Sequence, residues 1–324
     1  MRHFRVLAAA AVAATLAAGS AGAAPYDTLF VFGASESDSG NAYALQGGAA
    51  PPSPPYAQRY SNGPVAVEYL AQRLGIPFTF SENPAAGNQS LNFAVGGALT
   101  GTLNNIPSLS GRYGILNQVA DFQNRVGSGA LTFNPDTTLF LIVGGGNDVL
   151  RLGFFGGDPA AVVPNAVANI SSEVRTLAGL GAEHIAISTP NDLGTLPTAR
   201  AAGRVAQYSQ LSRDLAGAYR TLATSLAGST DADVFALERG AIVDDIVSNY
   251  RSYGFTNATD TCLVGTVVCA NPDQYVFWDS VHVTTAAHAI IGARLAATLV
   301  PEPATIALYG VGLAGLALAR RRVA

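Results

Sequence analysis

Five short apolar runs constrain the fold more than any other feature of the chain. Residues 27–33 (DTLFVFG), 90–95, 137–144 (TTLFLIVG), 184–190 (HIAISTP) and 233–237 are largely β-branched or aromatic. Gly, Pro or Asp bounds each of them, as expected of buried strands. Between them lie helical stretches: residues 64–74, opened by the turn Ser61-Asn62-Gly63 with Pro64 at the first position, then 160–180, 201–226 and 284–299. Alternating strands and helices predict an α/β body with a central parallel sheet and helices on both faces. In such sheets ligand sites form at the carboxyl ends of the strands.

The two ends read as addresses rather than as parts of that body. Arg2, His3 and Arg5 precede the apolar run 6–18, and Ala21-Gly22-Ala23 supply small residues for a signal peptidase. Residues 1–23 therefore read as an export signal; the alternative, a buried N-terminal helix, fits the flanking residues less well. Near the other end, Pro301-Glu302-Pro303 precede an uncharged run, residues 304–319, and then Arg320-Arg321-Arg322. At about 1.5 Å per residue that run reaches about 24 Å, short of the roughly 30 Å hydrocarbon core of a bilayer. It would make a marginal anchor, with its arginines held on the cytoplasmic side. The body between, residues 24–300, reads as one domain.

Charge and cysteine usage narrow the chemistry. No Lys occurs, so a Walker lysine, a Schiff-base lysine and a Ser-x-x-Lys acylation site are excluded. Without the two terminal Arg clusters the body has thirteen Arg against 22 acidic residues, and an acidic surface argues against nucleic acid as a partner. Cys262 and Cys269, with six residues between them in an exported body, are expected to form a local disulfide. Two Cys with no nearby His fall short of a zinc site, and no metal or organic cofactor is expected.

The strand ends carry the candidate site. The first runs into Gly33-Ala34-Ser35-Glu36-Ser37-Asp38-Ser39-Gly40-Asn41, the second into Gly96-Gly97, the third into Gly144-Gly145-Gly146-Asn147-Asp148. Glycine permits close backbone approach to a ligand, and an Asn amide donates beside it, which suits a developing oxyanion. Near the C-terminal end, Asp279 and His282 would face each other on one helical turn, the carboxylate accepting from Nδ1 and leaving Nε2 as a base. His184 and His288 read as structural, and the six-residue spacing of His282 and His288 does not put both rings on one helical face for a metal.

These residues resemble a known family. Phe32-Gly33-Ala34-Ser35 with Ser37 to Asn41, Asn92-Phe93-Ala94-Val95-Gly96-Gly97-Ala98, Gly145-Gly146-Asn147-Asp148 and Asp279-Ser280-Val281-His282 are similar to the four blocks of the GDSL, or SGNH, hydrolases, in the same order. Tyr60-Ser61-Asn62-Gly63-Pro64 and Tyr275-Val276-Phe277-Trp278-Asp279 resemble its secreted lecithinase/haemolysin-like and plant-lipase-like branch. The resemblance implies a flavodoxin-like three-layer α/β/α sandwich and an exported esterase or lipase. Ser35 would be the nucleophile, His282 the general base and then acid, and Asp279 the orienting carboxylate. The Ser35 and Gly97 N–H groups with the Asn147 amide would form the oxyanion hole, and Asp38, Asn41 and Asp148 would brace the loops.

The C-terminal segment in turn resembles the PEP-CTERM sorting signal of Gram-negative bacteria. That implies transient membrane attachment, recognition and removal by an exosortase, and a final location at the cell surface or outside it; a permanent C-terminal anchor is the alternative.

Three positions depart from the family pattern: Ala34 stands for Asp, Glu36 for Leu and Val283 for Pro. The changes leave every reacting atom in place. Loss of the Asp would loosen the nucleophile loop, and a carboxylate at 36 close to His282 would keep the imidazole protonated to higher pH. The substrates implied are acyl lipids or short-chain esters, with acetylated polysaccharide the nearest rival and a degenerate, non-catalytic binding or matrix protein the alternative from a different class. Residues 46–55, 99–135 and 244–273 read as the loops that shape the pocket.

Overall fold

A computed structural model describes residues 25–83 and 90–300. Residues Tyr26–Ala296 form one compact unit. The export and sorting segments read at residues 1–23 and 301–324 lie outside the described residues. Among the described residues, no helix is long and apolar enough to cross a membrane.

This unit is built on six strands: β1 (Thr28–Gly33), β2 (Thr79–Phe80), β3 (Leu91–Asn92), β4 (Thr138–Val143), β5 (His184–Ser188) and β6 (Asp233–Leu237). They form one sheet in the order β2-β3-β1-β4-β5-β6, every neighbouring pair parallel. The helices are α1 (Asn41–Leu45), α2 (Ala66–Leu74), α3 (Ile115–Gly127), α4 (Gly146–Phe154), α5 (Pro159–Gly179), α6 (Pro197–Ala201), α7 (Val205–Ala227), α8 (Arg239–Ser248) and α9 (Thr285–Leu299). Outside the main sheet, β7 (Asn257–Thr261) pairs with β10 (Tyr275–Phe277), and β8 (Leu263–Val264) with β9 (Val267–Val268).

The chain steps from β1 toward β2 in one direction and from β3 through β4, β5 and β6 in the other. Right-handed crossovers therefore place α2 on one face of the sheet and α3, α5 and α7 on the opposite face. The packing agrees: α5 lies against α3 and α7, while α9 lies against α2, where a Cβ on Gly292 would come 2.5 Å from that of Tyr69. The result is a three-layer α/β/α sandwich. β4 is buried along its whole length and β1 from Leu29 on, and Phe30, Phe140 and Phe122 of α3 pack ring to ring between sheet and helix.

The differences from the sequence reading have local causes. Only Leu91 and Asn92 of run 90–95 form a regular strand, although Phe93 and Val95 N–H still donate to the Val31 and Gly33 carbonyls. Stretch 201–226 is split into α6 and α7 because Gly203 adopts a φ of 64°, which a helix does not accommodate. Residues 99–135, read as loop, contain α3.

One consequence of the strand order fixes the site. β1 has β3 on one side and β4 on the other, so the connections diverge at its carboxyl end and leave a crevice there. The next residues after β1 are Ala34 and Ser35.

Candidate active site

The serine loop is held by polar side chains rather than by its own strand. Gly33 packs so closely that a Cβ would lie 2.7 Å from the Val143 carbonyl oxygen. Its N–H donates to Gln118 Oε1 (2.8 Å), and its carbonyl accepts from Gln118 Nε2 (2.9 Å). Beyond it, Ser37 and Asp38 N–H both donate to the Ala34 carbonyl, closing a turn that presents Ser35. The buried Asp38 carboxylate accepts from the N–H groups of Gly40, Asn41, Ala42 and Gly96, and so ties the serine loop to the glycine loop after β3. Burial raises this carboxyl to about 6 against the pull of those four donors. Asn41 Nδ2 donates to the Asn92 and Ala94 carbonyls, and Asn92 Nδ2 donates to the Ser37 carbonyl and Ser39 Oγ. With this bracing the turn closes through the Ala34 backbone alone, and needs no side chain at position 34.

Asp279 and His282 do come together, but not on a helical turn. Phe277 pairs with Val283, so the chain doubles back between them, and α9 starts only at Thr285. Asp279 Oδ1 accepts from the N–H groups of Val281 and His282, each at 2.8 Å, which closes an Asx turn, and Trp278 N–H donates to the His282 carbonyl. The three-residue spacing serves either geometry, which explains why both bring the same side chains together.

In this turn His282 Nδ1 lies 2.8 Å from Asp279 Oδ2 and 3.0 Å from Oδ1, and Nε2 lies 2.8 Å from Ser35 Oγ. Burial alone would raise the Asp279 carboxyl, yet the His282 charge and the hydrogen bonds it receives hold it at about 2. Burial disfavours the His282 imidazolium, but the Asp279 charge and hydrogen bond, with Glu36 adding a smaller push, raise it above its ordinary value. An imidazole so held is oriented by one nitrogen and takes up a proton at the other.

Tyr56, which the sequence reading did not single out, donates its hydroxyl to Asp279 Oδ2 at 2.8 Å. Burial and the Asp279 charge push its pKa up, so it stays a donor. The Tyr60 ring lies 5.2 Å from the His282 ring and against Gly96, where a Cβ would come 2.1 Å from the ring.

Gly97 and Asn147 face the same serine. The Gly96 N–H is committed to Asp38, whereas the Gly97 and Ser35 N–H groups have no acceptor among the described residues. Asn147, in the first turn of α4, donates one amide hydrogen to the Ala98 carbonyl (2.9 Å), which leaves the second for a ligand. Ser35, Gly97, Asn147 and His282 line one groove, whose far wall is Ile106, Phe154 and Phe155. Asp148 accepts from Thr100 N–H and Oγ1, and so fixes the start of α4.

Other candidates lie elsewhere. His288 is buried, accepts the Ala66 N–H at 3.2 Å, and is pushed down to about 3 by that burial. His184 Nε2 contacts the Asp136 carbonyl. Among the described residues no cluster of His, Cys, Asp or Glu suits a metal ion. Cys262 and Cys269 are joined and pack with Leu263 on Trp278. The stretch 244–273 therefore backs the Asp279–His282 turn and lines neither pocket at Ser35, contrary to the reading of it as a pocket loop. Glu36 is ion-paired at 2.7 Å to Arg239, a residue the sequence reading passed over.

Comparison with known proteins follows the same lines. The family model described as GDSL-like lipase/acylhydrolase matches residues 29–295, and the PEP-CTERM protein-sorting motif matches residues 299–322. A GDSL esterase/lipase of Arabidopsis thaliana is 26% identical over 313 residues, covering 82% of this chain and 84% of that protein. The phosphatidylcholine-sterol acyltransferase of Aeromonas hydrophila is 28% identical over 244 residues, covering 75% of this chain and 67% of its own. A solved structure of a carbohydrate acetylesterase from Sinorhizobium meliloti superposes with a TM-score of 0.45 at 14% identity, covering 84% of this chain and 97% of that one.

Proposed function

This chain belongs to the GDSL-like lipase/acylhydrolase family and is an ester-hydrolysing enzyme, and from that premise we propose an exported serine esterase acting through Ser35, His282 and Asp279. The observation that carries the reading is the unbroken contact from Asp279 through the His282 ring to Ser35 Oγ. Ser35 Oγ attacks the ester carbonyl carbon while His282 Nε2 takes its proton, and the resulting imidazolium is held by Asp279. The oxyanion receives hydrogen bonds from the Ser35 and Gly97 N–H groups and the Asn147 amide. Collapse expels the alcohol, which receives its proton from Nε2. Water repeats the sequence on the acyl-serine, releasing the carboxylic acid and restoring the hydroxyl.

The sorting motif implies export and a surface or extracellular location in a Gram-negative bacterium. We extend this to an N-terminal signal at residues 1–23, exosortase-type processing of the C-terminal segment and transient membrane attachment. The substrate class is an acyl lipid, a short-chain ester or an acetylated polysaccharide.

An alkyl fluorophosphonate tests the mechanism directly. The full chain should gain a single adduct on Ser35, read by peptide mass spectrometry, and lose its hydrolysis of p-nitrophenyl esters in proportion. Folded protein that takes no adduct and hydrolyses no ester from two to sixteen carbons would be a binding protein instead.

The pH profile has a defined sign. The base must be neutral to act, and His282 titrates above the ordinary histidine value of 6.5. The acid limb of kcat/KM should therefore be centred above pH 6.5, with full activity on its alkaline side. A limb centred at or below 6.5 contradicts the Asp279–His282 coupling.

A further inference from the structure

Two pockets meet at Ser35 and share it with Asn147, Leu150 and Val281. One is the aromatic groove already described. The second lies on the β5 side, where Ser188 ends the strand, Thr189 and Asn191 follow it, and Glu36 and Arg239 form part of the wall.

His282 lines the first pocket and not the second. In an ester cleaved by the proposed mechanism, the departing alcohol takes its proton from His282 Nε2, so it leaves through the pocket that His282 lines. The carbonyl oxygen is occupied with the Gly97 and Asn147 donors. That leaves the second pocket for the acyl substituent.

Its wall is unusual for such a role. Glu36 Oε1 and the Arg239 guanidinium stand 2.7 Å apart, the arginine side chain 4% exposed and the glutamate 32%. Val143, Leu150, Leu193 and Leu196 offer apolar surface close to the serine, enough for the first carbons of an acyl group. A longer chain would cover the ion pair and strip it of water without offering a hydrogen bond in return.

We propose that the Glu36–Arg239 ion pair limits the acyl group this enzyme accepts to a few carbons, making it an esterase for short acyl esters of bulkier alcohols. The proposal rests on the serine-esterase reading above. The aromatic groove, open and walled by Tyr60, Phe154 and Phe155, then receives the alcohol.

The test is the chain-length profile of kcat/KM for p-nitrophenyl acetate, butyrate, octanoate and palmitate at pH 8, expressed per serine titrated with fluorophosphonate. The full wild-type chain should favour acetate or butyrate over octanoate by at least about tenfold. Removing both charges together, E36L with R239M, avoids leaving one buried charge alone and should raise the octanoate-to-acetate ratio by about tenfold. E36Q with R239M, which keeps the shape of the glutamate side chain, is the milder arm and should raise that ratio about threefold.

Wild-type protein that prefers octanoate or palmitate overturns the proposal without any variant. An unchanged ratio in variants whose serine still titrates overturns it as well, with the esterase reading left standing. Folded wild-type protein that neither titrates nor hydrolyses any of the four esters removes both.

Discussion

Replacing Ser35 with Ala should lower kcat by a factor on the order of 10⁴–10⁶, with KM changed little. In the proposed mechanism the hydroxyl oxygen forms the acyl bond, and no other side chain hydroxyl contacts His282 Nε2 among the described residues. What survives is the polarisation of the carbonyl by the Gly97 and Asn147 donors, acting on a water. The substitution should not disturb the fold. Ser35 is held by its neighbours, through Asp38, Asn41, Asn92 and Gln118, and the bonds that hold the loop do not involve its own side chain. Unfolding midpoints of wild type and variant should therefore coincide within a few degrees. A loss of less than about a hundredfold would move the nucleophile to another residue.

Asp279→Asn should cost on the order of 10³–10⁴ in kcat near neutral pH, and the reason is orientational. Oδ1 accepts the Val281 and His282 N–H groups, so the amide oxygen must keep that place and the nitrogen must take the place of Oδ2. There it meets His282 Nδ1, which can then only accept. The ring is driven to the tautomer that carries its proton on Nε2, and a protonated Nε2 cannot deprotonate Ser35. Tyr56 can rotate its hydroxyl to accept from the new amide, so the loop itself should persist. Steady-state kinetics read the loss, and an unchanged circular dichroism spectrum separates it from collapse of the turn. Equal activity in the two proteins would mean that Asp279 supports the backbone turn and nothing more.

Five of the six strands were legible in the sequence because they fall in short apolar runs, with β6 coinciding with residues 233–237, whereas β2 has only Thr79 and Phe80 and was missed. The α3 helix was missed too, although Ile115, Val119 and Phe122 follow helical spacing. It opens on Gly114 without a side chain cap and was absorbed into a long stretch read as loop. That hid Gln118, whose amide grips Gly33 from 85 positions away. Tyr56 was hidden differently. It follows a Pro-rich segment, and its partner Asp279 lies 223 positions further on, a contact that only the tertiary fold creates. Glu36 was visible as a departure from the family block, but its neutralisation by Arg239 was not, because Arg239 opens a helix of weak periodicity far along the chain. Residues whose role is encoded in a local turn could be read, and those that act across the sheet could not.

The imidazole and its carboxylate share one turn of a few residues, whereas the hydroxyl they serve lies 247 positions earlier. A polypeptide delivered amino end first thus carries a chemically ordinary alcohol until nearly the whole body has emerged. Reactivity switches on only when folding brings the last part of the domain onto the first. On the proposed mechanism the enzyme is silent during synthesis by virtue of residue order alone.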